Sequence, residues 1–446
     1  MRHFRYFARL IAVAGLACLI SPGLRAQGEP SDSTSDLAQR LEELQKQINS
    51  LQAELAAARM QLGESSGGAV KPSDSAPAQP AGTSLVSEPQ AGAPEAGPGS
   101  PQNFFGSTSV TGFVDGYYGY NFNHPHSRTS DFRAFDGPTN QFSLNMIQLI
   151  FNKAPDPGNS RLGYRLAFGY GEAMNVVNGS DPAGLGFAQY LKEAYFSYLA
   201  PVGANGLQFD FGKFVTPHGA EVIETQDNWN YSRGVLFTYA IPFYHFGLRS
   251  KYAFNDKYAL TGFLVNGWNN VVDNNTGKTV GVGFGWTPNS KFSLTQNYMA
   301  GPEMEGLNKN WRQLSDTVVS ISPTDRLSFI LNYDYGRGDR ADGLLDPVSW
   351  QGWAGYVRYK FSDRNAFALR YEWFNDSDGF TTGAAQQLKE FTGTFERRIA
   401  NRLITRWEYR YDYSNQPSFT KGDSPVGSQS TVAAGLIYSF DMREAQ

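Results

Sequence analysis

The chain has 446 residues and a net charge of −4, with many aromatic side chains (14%) and few charged ones (18%). That balance offers no basic face for nucleic acid, and with 47 glycines it is unusual for a soluble enzyme and common in membrane barrels. Its one cysteine, Cys18, lies in the N-terminal leader, so a chain processed beyond it has neither a disulfide nor thiolate chemistry. In that leader Arg2, Arg5 and Arg9 precede an apolar run from Leu10 to Ile20 and a small-residue exit near Ala26. The pattern predicts a secretory signal peptide over 1–26. Ala17-Cys18 admits a lipoprotein reading, although apolar residues continue past the cysteine. No other segment approaches the roughly 18 consecutive apolar residues of a spanning helix, which excludes a helical membrane protein.

Residues 27–63 follow. Leu37, Leu41, Leu44, Ile48, Leu51, Leu55, Ala58 and Leu62 recur at alternating steps of four and three, the a/d seam of a coiled coil. Asp36 with Gln39 resembles a capping box, and Gly63 is a natural stop. Glu54 at g and Arg59 at the following e are placed for an interchain ion pair. The alternative is an amphipathic helix packed on a domain, but no neighbouring sequence offers a core. Leu and Ile at a with Leu at d leave two strands against three open. Residues 64–102, ESSGGAVKPSDSAPAQPAGTSLVSEPQAGAPEAGPGSPQ, have almost no large apolar side chains, which predicts a disordered linker. Stiffened by its prolines, it would extend to more than about 100 Å, enough to bring the coil to peptidoglycan.

From 103 to 446 the signals are strands. In NAFALRYEWFND, Phe367, Leu369, Tyr371 and Trp373 alternate with Ala366, Ala368, Arg370 and Glu372. NRLITRWEYRYDYS sets Leu403, Thr405, Trp407, Tyr409 and Tyr411 against Arg402, Arg406, Glu408, Arg410 and Asp412. Val280, Val282, Phe284 and Trp286 alternate with glycines, and Leu327, Phe329, Leu331, Tyr333 and Tyr335 oppose Ser328, Asn332 and Asp334. Period two with one apolar face is the strand signature. The connections alternate long and short throughout, from NFNHPHSRTSDFRAFDGPTN (long) and APDPGNS (short) to AGPEMEGLNKN (long), SPTD (short) and SNQPSFTKGDSPVGSQ (long). That asymmetry predicts an all-β fold: an antiparallel up-and-down transmembrane barrel of about sixteen strands with both chain ends periplasmic. A Greek-key sandwich does not require it. Val432, Leu436, Tyr438 and Phe440 share one face of the last strand, and Gly435, Tyr438 and Phe440 resemble the closing-strand signal read by bacterial barrel-assembly machinery.

The stretch KFVTPHGAEVIETQDNWNYSRGVLFTYAIPFYHFG gathers His218, Glu221, Glu224, Asp227 and His245. A metal site needs two or three ligands on one rigid face, whereas His218 precedes Gly219 in an irregular segment and His245 begins the next strand. A hydrolase reading lacks a G-x-S-x-G elbow. The glycine spacing at 281, 283 and 285 belongs to a strand with no helix after it, so it is not a dinucleotide loop. Arg337-Gly338-Asp339 reads as a loop base, and the aromatics at strand ends as interface girdles in place of a sugar path. A channel uses the same charges. Glu221, Glu224 and Asp227 come before Arg233, and the inward faces of the last strands carry Arg358, Lys360, Arg370, Arg402, Arg406 and Arg410, offset by Glu372, Glu390, Glu396 and Glu408. Such charges are tolerated only beside a water-filled lumen, where they narrow and select; the bland alternative is a lumen of solvated salt bridges. The expectation is a loop folded inward as a constriction, its carboxylates facing an arginine wall.

The same stretch resembles the signature region of the OmpL-like porins, β-barrel porin family 2. Gly212, Lys213, Phe214, Pro217, Gly219, Glu221, Glu224, Asn230, Tyr231, Ser232, Arg233, Tyr239, Pro242, Tyr244 and Gly247 carry the resemblance. It extends over about 104–440 and implies a channel-forming barrel in outer-membrane lipid; no cofactor or metal is expected. Porins of this architecture resemble trimers as a class, which implies a homotrimer. The function expected is passive diffusion of small hydrophilic solutes. The alternatives are a substrate-specific channel for anions or sugars, a structural envelope tether with a plugged barrel, and an outer-membrane enzyme.

Overall fold

The computed structural model describes residues 106–338 and 347–442. The predicted signal peptide, coiled coil and linker lie outside the described residues. In chain order the first strands are β1 (Ser109–Asn121), β2 (Gln141–Lys153), β3 (Leu162–Tyr170), β4 (Leu191–Ala200), β5 (Leu207–Val215) and β6 (Tyr244–Asn255). Next come β7 (Tyr258–Val265), β8 (Thr279–Asn289), β9 (Phe292–Met304), β10 (Leu307–Ile321), β11 (Leu327–Gly338) and β12 (Val348–Lys360). The series ends with β13 (Asn365–Asp376), β14 (Gln386–Ala400), β15 (Leu403–Ser414), β16 (Phe419–Lys421), β17 (Ser424–Val426) and β18 (Ser428–Asp441). β16 and β17 pair only with each other; the other sixteen strands close into one antiparallel barrel. β1 bonds to β2 on one side and to β18 on the other, with Thr111 opposite Asp441, so no edge strand is left for lipid to desolvate.

Side-chain alternation sets which face looks out. On β15, Trp407, Tyr409, Tyr411 and Tyr413 are exposed on the outer surface, while Arg406, Glu408, Arg410 and Asp412 are buried inside. β11 repeats this with Phe329, Leu331, Tyr333 and Tyr335 outside and Asn332 and Asp334 inside. The opposite register would place arginines against hydrocarbon, at about 2–4 kcal/mol each near the midplane. A one-residue slip is therefore strongly disfavoured.

Long loops at 122–140, 171–190, 216–243, 266–278, 377–385 and 415–427 share one end of the barrel. Turns such as 256–257, 290–291, 361–364 and 401–402 occupy the other. The stretch 300–310, read from sequence as a long loop, departs from expectation. β9 and β10 continue through it to a two-residue turn at Glu305 and Gly306, and Gly306 supplies the left-handed backbone (φ 67°) the turn needs. The 171–190 loop carries α1 (Glu172–Asn178) and α2 (Leu185–Ala188); the 216–243 loop carries a 3-10 turn (Thr225–Asp227) and α3 (Val235–Tyr239).

Candidate functional site

The loop 216–243 leaves β5 and enters the barrel. Its backbone is mostly irregular, so few of its N–H and C=O groups find partners within it. Buried away from water, each must be met by something else. The inner wall supplies that partner. Asn297 of β9 donates to the Pro217 carbonyl (2.8 Å), and the Ala220 N–H donates to Asn332 of β11 (2.9 Å). Further on, wall carboxylates accept loop N–H groups: Glu408 of β15 from Tyr231 (2.6 Å) and Ser232 (3.1 Å), and Glu372 of β13 from Val235 (2.6 Å). Wall guanidiniums donate to loop carbonyls: Arg370 to Ser232 (2.7 Å), Arg406 to Thr225 (2.6 Å) and Asn230 (3.1 Å), and Arg410 to Arg233 (2.7 Å).

Arg370, Arg406 and Arg410 are fully buried beneath this loop. Arg370 forks between Glu221 of the loop (2.6 Å) and Glu390 of β14 (2.8 Å). Such charge-assisted, multiply bonded contacts offset the desolvation that burying a guanidinium entails. Arg233 turns inward on its own loop, donating to the Tyr231 carbonyl (2.8 Å) and to that of Ile223.

Past β18, the wall formed by β1, β2 and β4 holds the loop as well. Asp115 of β1 accepts from the Tyr231 hydroxyl (2.8 Å) and from Thr225 (2.5 Å), while Lys192 of β4 pairs with Glu224, which also accepts from Gln148 of β2 (3.2 Å). With Asn297 of β9 and Asp115 of β1 on facing strands, the loop is anchored across the lumen. Apolar groups complete the seat. Tyr231, Val235, Leu236 and Phe237 are buried, each worth about 1.5–3 kcal/mol relative to exposure. The Tyr231 ring lies where a side chain on Gly435 of β18 would stand, and Leu236 does the same at Gly352 of β12.

The first long loop, 122–140, packs onto this assembly. Phe135 contacts Phe237 and Phe243 at centroid distances of 5.8 and 5.6 Å, and the buried pair Arg133–Asp136 ties the loop to Thr431 of β18 (2.7 Å). Phe132 sits between Tyr239 (5.8 Å) and Phe419 (5.4 Å) with a left-handed backbone (φ 54°). That conformation is unfavourable by about 1–2 kcal/mol and persists because the packing holds it.

The charges singled out from sequence thus divide. Glu221, Arg233, Arg370, Glu372, Arg406, Glu408 and Arg410 come together in one network. Glu224 goes instead to Lys192, where burial pushes it up and the ammonium more than offsets this, holding it below the usual carboxylate range. Asp227 is exposed to the lumen, yet the loop around it and the nearby Glu224 push it up to about 6. Arg358 pairs with Glu396 (2.7 Å), Arg402 donates to the Asp441 carbonyl (3.5 Å), and Lys360 is exposed at the end of β12, all toward the short-turn end. His218 and His245 share the Thr216 hydroxyl at 3.0 and 3.2 Å, and burial with the neighbouring His245 holds His218 well below its usual range. Among the described residues, no three His, Cys, Asp or Glu side chains converge on a metal site. Asp115 and Lys192 were missed from sequence; each shows there only as a single charge on a strand's inner face.

A closed sixteen-stranded barrel, apolar outside, with a long loop seated in its lumen, defines the porin class of outer-membrane β-barrel. The sequence profile of the family described as Putative beta-barrel porin-2, OmpL-like matches residues 107–440, and the chain belongs to that family. Its place is accordingly the bacterial outer membrane. Among solved structures it is similar to an anion-selective porin from Comamonas acidovorans (11% identity, TM-score 0.52, covering 75% of this chain and 99% of that one). It is also similar to the outer membrane channel DcaP of Acinetobacter baumannii (14%, TM-score 0.50, covering 75% and 97%). Salmonella typhi OmpF, solved with daunomycin, gives 13% and TM-score 0.50, covering 75% and 97%. At these identities the likeness is one of fold. No curated protein matches the sequence.

Proposed function

We propose that the protein is a passive diffusion channel for small hydrophilic solutes, with the 216–243 loop forming its narrowest passage, and that it catalyses no reaction. One observation carries this reading: the loop is bonded across the lumen, to Asn297 of β9 and Asp115 of β1 on facing strands, and likewise to Arg370 of β13 and Lys192 of β4. A loop held so fixes a passage; a mobile one would not. The long loops face outward from the cell and both chain ends lie in the periplasm. The last strand addresses the barrel-assembly machinery, and the N-terminal coil joins three copies near peptidoglycan. The same tight docking favours a second reading, a tether whose barrel is plugged. Liposome swelling separates the two. Liposomes carrying the folded barrel should swell quickly in a monosaccharide and slowly in a trisaccharide. Swelling no faster than in protein-free liposomes would support the plug.

A further inference from the structure

We infer that the short-turn half of the lumen gathers anions, so that the channel passes small anions in preference to cations; this rests on the channel reading above. The observation is how charge is divided between protein and water. Toward the short-turn end, Glu396 of β14 is met by Arg358 (2.7 Å), Arg406 (2.7 Å) and Arg398 (3.6 Å). Across the lumen, Asp210 of β5 is met by Arg249 (2.8 Å) and Lys251 (3.6 Å), and Glu193 of β4 by Arg165 (2.7 Å). Each carboxylate of Glu396 and Asp210 therefore serves more than one cation.

Exposure decides which sign the water meets. The carboxylate side chains are 4% (Glu396), 0% (Asp210) and 4% (Glu193) exposed, whereas Lys251 is 43%, Arg165 25%, Arg398 20% and Arg358 17% exposed. The anions form the floor of each cluster and the cations its wetted surface. The two groups of strands are separated by β7 to β11 one way around and by β18, β1 and β2 the other, so the clusters stand on facing walls. Asp227 of the inward loop is an opposing exposed charge; among the described residues Asp156, Asp256, Asp325 and Asp363 are exposed on the short turns, where Lys257, Lys291, Arg326 and Arg364 are exposed beside them. A cleft lined by one sign raises the local concentration of the other, and opposed rows of charge select by field as well as by size. Within a Debye length of about 8 Å at physiological salt, an ion near either wall still feels its cations. Chloride is the simplest such ion, and carboxylates and phosphate suit the guanidinium fork best. Selectivity on this account comes from the wetted Arg165, Lys251, Arg358 and Arg398, because Arg370 and Arg410 are already neutralised beneath the loop.

The test is the reversal potential of the full-length protein in planar bilayers under a KCl gradient. The wild type should show chloride preference. Replacing Arg165, Lys251, Arg358 and Arg398 by Gln should lower the chloride-to-potassium permeability ratio several-fold or reverse it. Lys251→Glu alone, at the most exposed of the four, should move it the same way and guards against a multiple variant that fails to fold. A cation-preferring wild type, or an unmoved potential in a conducting Lys251→Glu variant, would overturn the inference while leaving the channel intact. A folded wild type without conductance would overturn the channel reading and the inference with it.

Discussion

Arg370 shows how a guanidinium can be buried inside a barrel. Its parity in NAFALRYEWFND already marks it as inward, and alternation on β13 places it there. What sequence does not reveal is that its partners are Glu221 and the Ser232 carbonyl, from a loop far away in the chain. Those contacts depend on how an irregular segment folds, and no periodicity encodes that. Removing one partner of a buried pair typically costs about 3–5 kcal/mol, because the other charge is left uncompensated. Here the stranded groups can escape to water by releasing the loop, while the barrel's own ladder is untouched. Arg370→Met should therefore leave barrel assembly and heat resistance near wild type and render the 216–243 loop sensitive to protease in detergent. A loop as protected as in the wild type would mean that Arg370 does not hold it.

The strands were legible, the loops only in outline. Strand boundaries could be read wherever aromatics and charges alternate: β13 begins and ends where its pattern does, and β15 differs by one or two residues. The register follows because a slip would turn arginines into lipid. The stretch 300–310 misled because Gly, Pro and Asn usually signal loops, yet here they sit in strands running past the others to a tight turn. The inward fold of 216–243 was legible from its length and its apolar content. The partition of its acids was not: Glu221 meets the arginine wall, Glu224 meets Lys192 and Asp227 meets water. The contribution of the 122–140 loop was also invisible, since Phe132 and Phe135 have no periodic context and gain meaning only against Phe237 and Phe243.

At the scale of the whole molecule, the barrel is held by a closed hydrogen-bonded ladder, and the proposed N-terminal coiled coil would add a means of association separate from it. Leu37, Leu41, Leu44, Ile48, Leu51, Leu55 and Leu62 span nearly four heptads, enough to associate but marginal alone. A parallel three-stranded coil would share the symmetry axis of a trimer of barrels. The isolated 27–70 peptide should sediment as a trimer, and Asp at both Leu44 and Leu51 should abolish its association while loosening the full-length trimer less; a monomer or clean dimer of the unmodified peptide contradicts this. The central claim, that the 216–243 loop narrows an open channel, is tested most directly by single-channel conductance of the full-length protein with and without Glu221 to Asn230. The account predicts discrete openings in the wild type and a larger unitary conductance in the correctly folded deletion. An equal or smaller conductance in the deletion would contradict it.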